Sequence, residues 1–307
     1  MDPLLLLPKD FVASPEALAR TYSRSQAAGY TRWLATHHYE NFRVVSFLLP
    51  ARLHQDFHNL YAFCRWADDL GDELGGPAES LRWLEWWRLH LERMFAGEAA
   101  HPVFVALEET VRRHRLPIEP FADLISAFVR DQTIHRYQTC EELLGYCRHS
   151  ANPVGRLVLN LCGYDDAERQ RLSDATCTAL QLANFWQDVA VDLGKGRIYI
   201  PQEVMRRHGY SMEALERRDQ NASFRLVMRE LVGWARGFFR QGRPLAGMVG
   251  ARLALDLDLF SRGGLRLLEK IEKQDYTVLE RRPVVSRRDQ FLLLVKSLAR
   301  LPWRGKA

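Results

Sequence analysis

Two aspartate clusters lie about 120 positions apart, Asp68-Asp69-Leu70-Gly71-Asp72 and Asp188-Val189-Ala190-Val191-Asp192. In each, the outer carboxylates are four residues apart, which on a helix puts both on one face. Two such pairs aimed at one point repel each other unless something positive lies between them. Hard divalent cations with oxygen ligands, Mg²⁺ above all, are the natural counter-charge. An ion held by two carboxylates keeps positions open for phosphate oxygens, so the spacing predicts a diphosphate gripped through metal.

Acidic residues at helical spacing more often form a solvated face, and a solvated face alternates with polar neighbours. These clusters do not. The first is surrounded by Tyr61, Ala62, Phe63, Cys64, Trp66 and Ala67, the second by Leu180, Leu182, Ala183, Phe185, Trp186, Val189 and Ala190. Carboxylates entering a mostly buried helix are costly unless paired or bound to metal. Other polar residues share the same faces. Arg65 stands one turn before Asp68 and Tyr61 two turns before it, while Gln181, Asn184, Asp188 and Asp192 form a stripe. Asn184, Asp188 and Asp192 offer three oxygen ligands along one line. Just beyond, Gly194 and Gly196 bracket Lys195 and bring Arg197 close, so both cations can fold over a phosphate, unless this is only a surface loop.

The elements that must position these residues read as helices. Helix formers abound and strand alternation is scarce, which predicts an all-α protein. Helices are expected at about 14–36, 50–73, 78–95, 101–114, 118–135, 139–162, 165–192, 201–206, 211–217, 221–249, 251–273 and 286–300. Pro153 falls inside one of them and predicts a kink, which either opens space beside an apolar ligand or serves packing alone. At 307 residues, with 47% hydrophobic and 26% charged side chains and no low-complexity linker, one domain spanning 1–307 is expected.

Five cysteines without a CxxC pair argue against a zinc site or disulfide framework and fit a reducing, cytoplasmic setting. The apolar run Leu4 to Leu7 follows acidic Asp2 and is stopped by Pro8-Lys9-Asp10, so it does not read as a signal peptide. No stretch reaches the roughly 18 uninterrupted apolar residues of a membrane span. The net charge is +5, yet residues 281–307 hold eight Lys/Arg against Asp289 alone, leaving the rest slightly acidic. That segment reads as a basic amphipathic helix, which either lies on an anionic bilayer, as a peripheral contact on the inner membrane face, or docks on its own domain. The basic residues lack interleaved aromatics, so a nucleic-acid partner is not expected.

With these residues identified, the chain resembles the squalene/phytoene synthase family of head-to-head prenyl transferases from roughly Tyr39 to Tyr276. The resemblance rests on Leu48-Leu49-Pro50, on Tyr61-Ala62-Phe63-Cys64-Arg65 leading into the first cluster, on Gln181-Leu182-Ala183-Asn184 leading into the second, and on Arg197-Ile198-Tyr199. It implies an all-α isoprenoid-synthase bundle in which the two motifs face each other across a central apolar cavity and bind Mg²⁺ and prenyl diphosphate. Asp68, Asp72, Asp188 and Asp192 would be metal ligands assisted by Asn184; Tyr61, Arg65, Lys195 and Arg197 would contact diphosphate. Gln181, Tyr146 and Tyr276 would contribute to the substrate site.

Three departures from the commoner pattern look like the family's bacterial hopanoid-pathway branch. Tyr39 and Asn41 stand where many relatives have serines, Gln187 where many have arginine, and Ala151-Asn152-Pro153-Val154-Gly155 where many have Ala-Gly-Thr-Val-Gly. Ala151, Val154, Gly155 and Gln187 thereby join the expected substrate contacts. The implied reaction ionises presqualene diphosphate, rearranges the cation and captures it with water as hydroxysqualene, with substrate handed over from the enzyme that makes it. No dinucleotide fingerprint is visible and water capture needs no hydride donor, so an NADPH requirement is not expected. The same fold condensing two prenyl diphosphates is the nearest alternative. A helical assembly protein without chemistry is another, against which the intact acidic set argues.

Overall fold

The computed structural model describes residues 5–37, 50–286 and Asp289. Tyr39, Asn41, Leu48, Leu49 and nearly all of the basic helix expected at 286–300 lie outside the described residues. In chain order the helices are α1 (Pro8–Val12), α2 (Pro15–Ala19), α3 (Arg24–His37), α4 (His54–Asp72), α5 (Pro77–Phe95), α6 (Pro102–His114), α7 (Glu119–Asp131), α8 (Cys140–Ser150) and α9 (Asn152–Leu161). They continue with α10 (Ala167–Gly194), α11 (Gln202–Arg207), α12 (Met212–Glu216), α13 (Ala222–Gly242) and α14 (Ala251–Lys273). Among the described residues the nearest thing to a strand is one isolated parallel bridge, Arg136 to Ile198.

Three expected boundaries are corrected. The helix read at 14–36 is interrupted at Arg20–Ser23. There the Tyr22 hydroxyl donates to the Ala17 carbonyl, and Ser23 and Gln26 exchange hydrogen bonds that open α3 as a capping box. The stretch 139–162 is two helices rather than one kinked helix. α8 stops at Ser150, and Pro153 sits in the first turn of α9, where a missing N–H costs nothing. The segment 118–135 ends at Asp131, after which Gln132 turns back so that its amide bonds the Phe128 carbonyl of the last turn and the Gly71 carbonyl of α4.

The described residues group into two compact units. One takes in the residues up to Ile134 with Arg156–Asp165; the other takes in His135–Gly155 and the residues from Asp166 onward. The first unit is built around α4, against which α3, α5, α6 and α7 pack. Phe57, Leu60, Phe63, Trp66, Ala67 and Leu70 recur at three- and four-residue spacing and are all buried. The Trp66 indole lies face to face with Trp87 of α5, centroids 5.0 Å apart and planes 6° apart, and its N–H donates to the Tyr30 hydroxyl. A buried polar network adds register: Asn59 donates to the Ala106 carbonyl at 2.9 Å and accepts from Thr31 at 2.7 Å, while buried Asp56 is held by Thr110, Arg113 and His114. Buried polar groups of this kind stabilise only when all are paired.

The second unit is built around α10, 28 residues and so about 42 Å long, against which α8, α13 and α14 pack. Asp166 caps it by accepting from the Arg169 amide. Small residues let its neighbours come close. A Cβ at Gly242 would lie 2.1 Å from the Thr176 hydroxyl and 2.9 Å from the Thr176 amide nitrogen, and one at Gly264 would lie 2.3 Å from the Phe239 ring.

Candidate active site

Each aspartate cluster occupies the C-terminal end of its unit's central helix: α4 ends on Asp72, and α10 ends two residues after Asp192. Aligned peptide dipoles leave partial negative charge there, so carboxylates at this end are disfavoured unless cations sit beside them. Both ends have such a cation.

In the first unit Asp68 is half-exposed and Asp72 exposed, whereas Asp69 is buried. Arg65 reaches three acids: Asp69 at 2.5 Å, Asp68 at 3.3 Å and Glu73 at 3.2 Å. Burial pushes the Asp69 carboxyl up to about 7, with the Arg65 guanidinium opposing that rise and the charges of Glu73 and Asp68 adding to it. Burial alone would lower Arg65, but Asp69 and Asp68 more than offset it and hold it above its ordinary value. Tyr61, two turns upstream, is half-buried, and burial raises its hydroxyl despite Arg65. The structure therefore places Tyr61, Arg65, Asp68 and Asp72 on one helix, Tyr61 near its middle and the other three in its last two turns. It adds Asp69 and Glu73, which the spacing of the outer pair did not single out.

In the second unit Asn184 is exposed, and Gln181, Gln187, Asp188 and Asp192 are half-buried. The cation here is Arg282. Its guanidinium contacts both oxygens of Asp188, Nη2 lying 3.1 Å from Oδ2. The adjacent Gln187 amide donates to the Pro283 carbonyl at 2.6 Å, so neighbouring residues of α10 pin the segment Arg282-Pro283 as a strap. Arg282 carried no sequence signal, because it comes from 94 residues away.

The Asp192 carbonyl accepts from the amides of both Lys195 and Arg197, each at 2.9 Å, and Gly196 adopts φ 76°, which lets the chain turn back over the helix end. Lys195 is exposed and Arg197 half-buried. Beside them Tyr146 packs among Tyr137, Phe185 and Tyr199, with Phe185 and Tyr199 stacked at 3.9 Å. Asp192, Arg197, Phe185, Val189 and Tyr199 line a hollow of about 10 Å³, roughly the size of one water.

Ala151 is the residue between α8 and α9; Asn152 is buried and accepts from the Thr178 hydroxyl of α10. Val154 is half-buried. A Cβ at Gly155 would lie 2.4 Å from the Ser173 hydroxyl and 2.5 Å from the Cys177 sulfur, so glycine here permits close approach to α10. Tyr276 lies in the turn after α14 with φ 60°, the Arg229 guanidinium 5.8 Å from its ring centre.

Among the described residues no three His, Cys, Asp or Glu side chains form a group that could hold an ion by themselves. No helix among them is long and apolar enough to cross a membrane.

A family model for squalene/phytoene synthases matches residues 35–289, and the chain belongs to that family. The expected all-α isoprenoid-synthase fold is shared with the crystal structure of squalene synthase HpnC from Alicyclobacillus acidocaldarius, with a TM-score of 0.80 and 45% identity over 82% of this chain and 95% of that one. The hydroxysqualene synthase of Sinorhizobium fredii is 33% identical over 70% of this chain and 73% of its own length. The phytoene synthase of Thermus thermophilus is 32% identical over 87% and 91%.

Proposed function

We propose that this chain is a Mg²⁺-dependent hydroxysqualene synthase. The observation that carries the reading is the placement of two Asp-x-x-x-Asp pairs at the ends of the two central helices, each with a guanidinium alongside. Mg²⁺ is commonly bound by one or two carboxylates plus substrate phosphates rather than by an all-protein cage, and a partial coordination sphere at each end fits that habit. Asp68 and Asp72 would hold metal in the first unit; Asp188 and Asp192, with Asn184, would do so in the second. Bound there, the metal supplies positive charge to a departing diphosphate.

The protein's own residues do the rest. Arg65 and Tyr61 in the first unit, and Lys195 and Arg197 in the second, are the groups that would contact diphosphate oxygens. The C–O bond of presqualene diphosphate breaks with the electron pair leaving on oxygen, the cyclopropylcarbinyl cation rearranges, and water adds to give hydroxysqualene. The released proton goes to the diphosphate. Aromatic faces such as those of Tyr146, Phe185 and Tyr199 suit a cationic hydrocarbon. Gln187 is uncharged and its amide is engaged with Pro283, which suits a site that handles a single diphosphate. No hydride donor enters this balance.

The resemblance to phytoene synthases, as high as that to hydroxysqualene synthases, favours a second reading in which the chain condenses two prenyl diphosphates. Purified protein with Mg²⁺ and no reductant, given farnesyl diphosphate or presqualene diphosphate in separate reactions, distinguishes them. Hydroxysqualene from presqualene diphosphate, and nothing from farnesyl diphosphate, is the expected result. Product from farnesyl diphosphate alone would sink the specific assignment.

A further inference from the structure

The second unit holds a larger cavity, of about 370 Å³, at the end of α10 away from the aspartates. Thr176, on its wall, lies twelve residues before Asp188, or about 18 Å along the helix axis. The floor is apolar, made by Phe239 and Leu245 from α13 and the turn beyond it and by Leu257 and Leu265 of α14. The mouth is basic, carrying Arg240, Arg243 and Arg262 against the carboxylate of Asp258.

These arginines differ in what they are doing. Arg262 is committed to Asp258 at 2.5 Å. Arg236, one turn before Arg240 on α13, is likewise committed to Glu272. Arg240 and Arg243 are exposed and make no ion pair or side-chain hydrogen bond among the described residues. With Asp258 answered by Arg262, the mouth carries two uncompensated positive charges over a hydrocarbon floor. The Ser261 hydroxyl beside them is a further donor, whereas that of Thr176 is spent on the Leu172 carbonyl.

We propose that this cavity binds an anionic amphiphile, its phosphate or carboxylate head held by Arg240 and Arg243 and its single alkyl chain laid over Phe239, Leu245, Leu257 and Leu265. A cation is excluded by the sign of the mouth. The volume lies at the low end of small-molecule sites, which admits a head and part of one chain rather than a whole two-chain lipid. Two guanidiniums suit the planar, multi-oxygen head of a phosphate or carboxylate. This site does not depend on the catalytic reading.

The test uses the full chain without added metal and, as probe, dodecyl phosphate below its micelle concentration, followed by calorimetry. One-to-one binding is expected, with dodecyltrimethylammonium not binding. In the double variant Arg240→Gln/Arg243→Gln, dodecyl phosphate should bind at least about tenfold more weakly while turnover and helicity stay unchanged. Flotation with phosphatidylcholine vesicles, with and without phosphatidylglycerol, separates the sources. Capture by anionic vesicles that the double variant loses identifies a bilayer phospholipid as donor of the head; binding of the soluble probe without vesicle capture identifies a free amphiphile. Equal affinity of the folded double variant for dodecyl phosphate, or equal binding of the cationic amphiphile, would overturn the proposal.

Discussion

At the end of α4, the guanidinium facing Asp68 and Asp69 comes from the same helix, one turn upstream. At the end of α10, the guanidinium on Asp188 comes from Arg282, on a strap that returns to the helix only after α14 has been completed. The first arrangement lies within a single helix. The second rests on a half-exposed side chain from a distant segment and on the hydrogen bond of Gln187. A third acid completes the series. Asp256 on α14 is 2% exposed, and neither of its oxygens has a hydrogen-bond partner.

The comparison breaks first at the aspartates themselves. Asp68→Ala and Asp188→Ala should each lower turnover by at least about a hundredfold, the scale lost when one strong electrostatic contribution to a transition state is removed. Circular dichroism should remain near normal; full activity in either variant would remove the metal proposal. The two arginines should then separate. Arg65→Gln leaves Asp69 buried without its partner, and should cost about 1–3 kcal/mol in chemical denaturation as well as activity. Arg282→Gln frees a partly exposed pair, so stability should hardly change. It should instead lower the Mg²⁺ concentration for half-maximal binding, read by calorimetry, because guanidinium and metal use the same Asp188 oxygens. Equal destabilisation by the two substitutions would erase the distinction between local and imported cation.

The smallest effect belongs to Asp256, whose carboxyl burial pushes up to about 7. A carboxyl with a raised folded-state pKa favours the protonated fold, so its stability contribution is present at low pH and is lost as pH rises from the ordinary carboxylate range through about 7. An asparagine amide at this position mimics the protonated acid in shape and lack of charge. Asp256→Asn should therefore leave Tm unchanged near pH 4 and raise it by a few degrees at pH 8, and a pH-independent difference would contradict the assignment.

The same contrast explains what was legible in the sequence. Arg65, Asp68 and Asp72 are related by helical spacing alone, so their meeting follows from the pattern once α4 is recognised. Arg282 and Pro283 meet Gln187 and Asp188 only through the packing of α14 on α10, for which no local signal exists. Two missed helix breaks did have signals. Ser23 followed by Gln26 is a capping box, and Asn152-Pro153 fits a helix start better than a helix middle; in both places continuous apolar periodicity outweighed the punctuation. Gly242 and Gly264 were unremarkable as letters and acquire meaning only from what a Cβ would strike, and Gly155, expected as a substrate contact, proves to be where α9 closes on Ser173 and Cys177 of α10.

Trp66 stands two residues before Asp68, lying flat on Trp87 of the neighbouring helix. Two indoles that close and that parallel share their excited states, giving a paired optical signature that separated rings lack. The acidic end of α4 therefore carries a built-in reporter, since a change in the spacing of these two rings would change their optical coupling.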